Sequence, residues 1–245
     1  MPRYKLTIEY DGTGLVGWQR QENGLSVQQC LEEAFEKFLQ EKVVTTAAGR
    51  TDAGVHALGQ VVHVDIKKQY DLKKISGALN FHLKGKNITV VEVKKVSGKF
   101  NARHSAKKRT YLYRILNRRS PPALRKDNVW HVPVKLDVAK MKKAAKYLEG
   151  KHDFTSFRAS VCQAKSPVKT IDKITVQKKG DEIHITVIAK SFLHHMVRNI
   201  VGTLQMVGNG KWQPHDVKKA LEARDRNAAG PTAPAHGLYF VSVKY

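Results

Sequence analysis

The segment Gly49-Arg50-Thr51-Asp52-Ala53-Gly54-Val55-His56-Ala57 sets one carboxylate between two glycines, after an apolar stretch and before Gln60-Val61-Val62-His63-Val64. Asp52 is the only acid between Glu41 and Asp65, so in a basic chain it is attracted to nearby cations and kept ionised. Two readings stay open for it: a nucleophile or general base, or a capping aspartate in a tight turn. Upstream, Gly12-Thr13-Gly14-Leu15-Val16-Gly17 matches the glycine spacing of a dinucleotide-binding turn. That motif must open a helix inside a parallel β-α-β unit, whereas here it runs into Trp18-Gln19-Arg20-Gln21-Glu22-Asn23-Gly24. The nucleotide site is therefore rejected in favour of a glycine-rich turn, with Trp18 and Arg20 left as residues able to stack on a base or hold a phosphate.

Three further groups carry potential chemistry. Arg109-Thr110-Tyr111-Leu112-Tyr113-Arg114 alternates basic and aromatic residues, so on a strand Tyr111 and Tyr113 share a face; that pattern suits base stacking or, equally, two half-buried sheet tyrosines. Arg198 borders the apolar stripe Met196, Val197, Ile200 and Val201, and reads either as a snorkelling surface arginine or as a buried cation in need of a carboxylate, with Asp52 the candidate partner. Eleven histidines invite a metal, yet no three ligands share a zinc spacing, and no metal or cofactor is expected. A metal-dependent nuclease would need clustered carboxylates, which the acid-poor second part does not offer.

Charge gives the partner class. The chain holds 44 Lys and Arg against 21 Asp and Glu, a net +23, and the excess is local. Residues 1–100 carry +4 and the remainder +19; from Val93 to Lys126 twelve basic residues run without an acid, Lys107, Lys108 and Arg109 among them. Such a run reads as a phosphate-backbone footprint, with a merely solubilising cationic surface as the plain alternative. Two cysteines exclude a disulfide scaffold, and the lack of a long apolar run excludes a membrane span, so a cytoplasmic protein without membrane contact is expected.

These residues need elements to hold them. Alternation at Tyr4, Leu6, Ile8 and Tyr10 predicts a strand, and Val27, Cys30, Leu31, Ala34, Phe35, Phe38 and Leu39 predict a helix with Ser26 and Gln29 placed as a capping box. Strands at Val43 to Ala48 and Gln60 to Ile66, a helix from Asp71 to His82 and a strand at Ile88 to Val96 complete β-α-β-β-α-β. The order returns: a strand at Thr110 to Leu116, a helix at Asp137 to Leu148, strands at Lys173 to Gln177 and Glu182 to Ala189, a helix bearing Leu193 to Leu204, a short helix near Pro214, and a last strand at Leu238 to Val243. The expected fold is α+β, two ferredoxin-like halves with mainly antiparallel sheet and helices on one face, at residues 1–100 and 101–245. Segments 118–128, 156–169 and 226–237 are expected loops able to meet a partner.

Taken together the residues resemble the tRNA pseudouridine synthases of the A class. The blocks are Glu9-Tyr10-Asp11-Gly12, Gly17-Trp18-Gln19-Arg20-Gln21, the Asp52 segment, Arg109-Thr110-Tyr111, Asp153-Phe154-Thr155-Ser156-Phe157-Arg158, Phe192 to Gly202, and Gly237-Leu238-Tyr239. The resemblance implies a cofactor-free, metal-free isomerase acting on uridines 38 to 40 in the anticodon arm of tRNA as a homodimer, with its active-site cleft between the halves. It makes Asp52 the catalytic aspartate, Tyr111 the tyrosine packed on the flipped base, Arg198 the arginine paired with the aspartate, and Arg50 the one that displaces the target base. Arg20, Lys107, Lys108 and Arg109 are the expected RNA contacts. A non-catalytic tRNA-binding protein or chaperone on the same fold is the alternative; it has no need to keep Asp52, Tyr111 and Arg198 together.

Overall fold

The computed structural model describes residues 1–160 and 162–245. Residue 161 belongs to the expected loop 156–169 and lies outside the described residues. The chain forms two compact units, one from Met1–Lys107 with Tyr239–Tyr245, the other from Lys108–Leu238.

In the first unit β1 (Arg3–Tyr10) turns Tyr4, Leu6, Ile8 and Tyr10 inward, each at most 4% exposed, as the alternation requires. Helix α1 (Val27–Leu39) begins where the Ser26 hydroxyl accepts the Gln29 N–H, but the expected box is only half formed, since the Gln29 side chain donates to Glu33; the helix buries Val27, Cys30, Leu31, Ala34 and Phe35. Each large apolar side chain among these contributes about 1.5–3 kcal/mol on burial. Strand β2 is only Thr46–Ala47, shorter than expected, whereas β3 (His56–Asp65) starts earlier and is buried on both faces. Helix α2 (Leu72–His82) is capped by Asp71, which accepts from the Lys73 and Lys74 N–H groups, and β4 spans Ile88–Val96. Strand β1 lies between β4 and β3, antiparallel to both, and β2 pairs with β3. This is the ferredoxin-like strand order that the β-α-β-β-α-β reading implies.

In the second unit β5 (Lys108–Leu116) carries a two-residue partner, β6 (Trp130–His131). Helix α3 (Val138–Ala145) runs into a 3-10 turn at Lys146–Leu148, then β7 (Gly150–Asp153) and a second 3-10 turn at Thr155–Phe157. Strands β8 (Val168–Lys179) and β9 (Glu182–Ala189) form the hairpin. Helices α4 (Met196–Gly208) and α5 (Asp216–Ala223) follow, with 3-10 turns at Arg226–Ala228 and Ala235–Gly237. The strands run β5-β9-β8-β7, all antiparallel.

The last strand, β10 (Leu238–Lys244), was expected with the second half. Its pairing is instead parallel to β3, with Tyr239 opposite His56 and Phe240 opposite Ala57, so residues from Tyr239 onward belong to the first unit. Among the described residues no helix is long and apolar enough to cross a membrane.

Candidate active site

Asp52 sits in the segment between β2 and β3, and its neighbours leave that segment little freedom. The Thr51 hydroxyl and the Tyr10 phenol are 2.8 Å apart, while the Thr51 carbonyl accepts the Trp18 N–H at 3.0 Å. Fully buried Gln60 donates to the Gly49 carbonyl at 2.7 Å, and the Gly54 N–H reaches the Leu15 carbonyl. Burial pushes the Tyr10 phenol up to about 12, the hydrogen bonds to Thr51 and Gln60 offsetting only part, so it remains a neutral hydroxyl. Asp52 is half-buried, and its own carbonyl accepts the Val55 N–H in a turn.

The glycine motif rejected as a nucleotide turn has a different task. A Cβ at Gly12 would stand 2.2 Å from the Val55 carbonyl oxygen, and one at Gly17 would stand 2.6 Å from the Thr51 oxygen and 3.0 Å from the Asp52 carbonyl carbon. Gly17 also has φ +104. Both glycines let one backbone lie directly against the Asp52 loop. His56, only 1% exposed, accepts the Gly12 N–H through Nδ1 at 3.0 Å and stacks on Tyr239 with ring centroids 4.8 Å apart. Trp18 is only 3% exposed, so it packs the core and is no stacking platform. Arg50 is exposed beside the loop; Arg20 is also exposed and pairs with Glu32 at 3.3 Å.

The second unit holds the other expected residues. Tyr111 is 8% exposed and meets Phe192 edge to face at 5.0 Å. Tyr113, on the same face of β5, is fully buried and donates to the Pro234 carbonyl at 2.7 Å. Its phenol is pushed up by burial, with the Arg198 charge acting the other way, which places Arg198 within electrostatic reach of this ring. Arg198 is half-buried on α4; its Nε donates to the Ala233 carbonyl at 2.8 Å, and the Ala233 N–H returns a bond to the Arg198 carbonyl.

The basic run divides on inspection. Lys107 and Lys108 are exposed, Lys108 beside Asp172 at 3.1 Å, whereas Arg109 is buried with its guanidinium donating to the Lys190 carbonyl. Arg109 therefore braces β5 and does not present itself to a phosphate. Arg114 and Arg125 both hold Glu182, and Arg118 holds Asp181, so acids from the β8–β9 hairpin engage part of a run that contains none of its own. Sequence reasoning missed Thr51, Tyr10 and the polar residues Asn199 and Thr203 within α4. The last two were signalled by two polar positions spaced i, i+4 inside an apolar stripe.

This α+β chain matches one family along most of its length. The chain belongs to the tRNA pseudouridine synthase family, enzymes that isomerise uridine to pseudouridine in tRNA; the family's sequence model matches residues 6–105 and 144–245. Proteins called tRNA pseudouridine synthase A are 57% identical over the whole of both chains in Rhodospirillum centenum, and 56% identical in Paramagnetospirillum magneticum over all of this chain and 96% of that one. The protein of that name from Brucella ovis is 53% identical over all of this chain and 98% of its own.

Proposed function

We propose that this chain acts at uridines 38, 39 and/or 40 of the anticodon arm, with Asp52 as its catalytic carboxylate. The observation that carries the choice of Asp52 is its anchorage: a half-buried acid on a segment pinned at Gly49, Thr51 and Gly54 and floored by Gly12 and Gly17. Preorganisation of this kind is what a reacting group requires.

The reaction is a rearrangement in which atoms balance. The N1–C1′ bond of the uridine breaks, the freed uracil turns, a C5–C1′ bond forms, the C5 proton leaves to solvent, and N1 ends protonated. Asp52 supplies a carboxylate for this exchange, by attack on C1′, by attack on the base, or through the sugar proton. The target base must leave the helical stack to be reached, and Arg50 is assigned to displacing it. Tyr111 is assigned to packing on the base and to assisting loss of the C5 proton; Arg198 is assigned to supplying the positive charge that keeps the catalytic acid ionised. Exposed Arg20, Lys107 and Lys108 are assigned to the RNA backbone. A homodimer in the cytoplasm belongs to the same proposal, and sedimentation at working concentration tests the dimer.

The experiment is tritium release from tRNA labelled at uracil C5, with EDTA present, comparing the natural chain with Asp52→Asn. Release by the natural chain alone, with tRNA affinity of the two nearly equal, is the expected result. Turnover by Asp52→Asn overturns the assignment of the acid, and binding without release by either protein leaves an RNA-binding role instead.

A further inference from the structure

The carbonyl that fixes Arg198 belongs to Ala233, in the irregular segment between α5 and β10. A long side chain on a helix has many rotamers, and committing Nε to a main-chain acceptor selects one orientation of the guanidinium plane. The selection is only as firm as the segment bearing the acceptor. What holds that segment is a buried polar cluster around Asn199, the next residue of α4.

Asn199 is fully buried and uses both ends of its amide. Its Nδ2 donates to the Phe157 carbonyl at 2.9 Å, and its Oδ1 accepts the Thr232 hydroxyl at 2.7 Å and Arg226 Nη2 at 3.3 Å. Arg226 also donates to the Thr232 hydroxyl oxygen and to the Gly230 carbonyl. One turn along α4, the Thr203 hydroxyl accepts the Gly230 N–H at 2.9 Å while donating to the Asn199 carbonyl. Gly202 admits the segment against the helix, for a Cβ there would lie 1.7 Å from the Pro231 carbonyl oxygen. An apolar residue would fill the place of Asn199 without a desolvation cost, so a satisfied amide here supplies direction more than cohesion.

We infer that Asn199 and Thr232 are positioning residues for Arg198: they lock the 226–234 segment in register with α4, and the Ala233 carbonyl then sets the guanidinium. This rests on the reading that Arg198 takes part in the reaction. The hydroxyl of Thr232 is the element to remove, because valine keeps the volume and deletes the bond to Asn199. Arg226→Gln is the second route to the same loosening should Thr232→Val fold poorly.

The test is a double-variant cycle in single-turnover tritium release, using Thr232→Val, Arg198→Lys and both together in the full chain, with tRNA binding measured beside it. Thr232→Val is expected to slow the chemical step by about tenfold, as a misplaced group of under an ångström does, with KM and tRNA affinity unchanged. Thr232→Ser, which restores the hydroxyl, is expected to restore the rate. In the Arg198→Lys background the valine change is expected to cost nothing further. Full multiplication of the two losses, a change in KM alone, or an unaltered rate for both Thr232→Val and Arg226→Gln overturns the inference. Failure of the underlying reading looks different: Arg198→Lys then turns over like the natural chain, or the natural chain releases no tritium.

Discussion

Gly17→Ala tests whether the Asp52 loop owes its position to the glycines beneath it. The new methyl group would lie 2.6 Å from the Thr51 carbonyl oxygen, where ordinary contact begins at 3.4 Å. The loop must then retreat by about 0.8 Å or the alanine must distort the chain around it. Alanine at φ +104 costs about 1–2 kcal/mol, and crowding in a packed site costs about 1–3 kcal/mol more. The expected loss is therefore about 2–5 kcal/mol of stability. A shift of that size in a reacting carboxylate lowers turnover by about 10- to 100-fold. Urea unfolding gives the first quantity, and tritium release at saturating tRNA gives the second, with binding expected to hold. Gly14→Ala is the control: its φ is +75 and nothing lies within 4 Å of the added carbon, so it carries the backbone cost without the clash. Natural turnover by Gly17→Ala, or equal losses in both variants, would refute the idea that contact with the loop is what matters.

Gly202→Ala is expected to be harsher, since its methyl group would sit 1.7 Å from the Pro231 oxygen; both the melting temperature and turnover should fall, and a natural melting curve would contradict the packing described. Glu182 predicts an acid dependence. Burial alone would raise its pKa, but hydrogen bonds from Arg114 and His184 and the charges of Arg114 and Arg125 outweigh burial and hold it at about 2, below the ordinary 4.5. Its contribution, about 3 kcal/mol, is present above pH 4.5 and is lost as pH falls through about 2; the gap in urea stability between the natural chain and Glu182→Gln should close across that window. Lys107→Ala should leave stability alone and lower the salt slope of tRNA binding by about one. Arg109→Ala should instead cost about 1–3 kcal/mol of stability by stripping the Lys190 carbonyl. Equal changes in salt slope for the two would show that burial does not separate them.

Where one face of an element meets the core, its pattern was readable. The alternation in β1, the Ser26 cap and the apolar positions of α1 from Val27 to Phe35 appear as the periodicities require, whereas Phe38 and Leu39 at the end of the stripe are only half-buried. Strands β6 and β7, two and four residues long, carry no such pattern because they pair at edges through main-chain groups that composition does not reveal. For the site, types and spacing mark Asp52, Tyr111 and Arg198 as candidates beside their plain structural readings, and the glycine turn is legible only as a turn. Its work is a close approach between segments some forty residues apart, and no local signal reports what lies across from a glycine. Arg109 erred for a related reason: a charge in a basic run looks solvated until a carbonyl such as that of Lys190 closes over it.

The parallel pairing of β10 with β3 makes the first unit discontinuous along the chain, since more than a hundred residues of the second unit separate β10 from β4. During synthesis the residues that carry Asp52 emerge early, at a few to about twenty residues per second, but the strand that stacks Tyr239 on His56 emerges after all of the second unit. A nascent chain ending at residue 237 thus leaves the start of β3 without that neighbour, an open edge prone to mispairing. The order of translation therefore delays completion of the acid-bearing unit until its companion is already outside the ribosome.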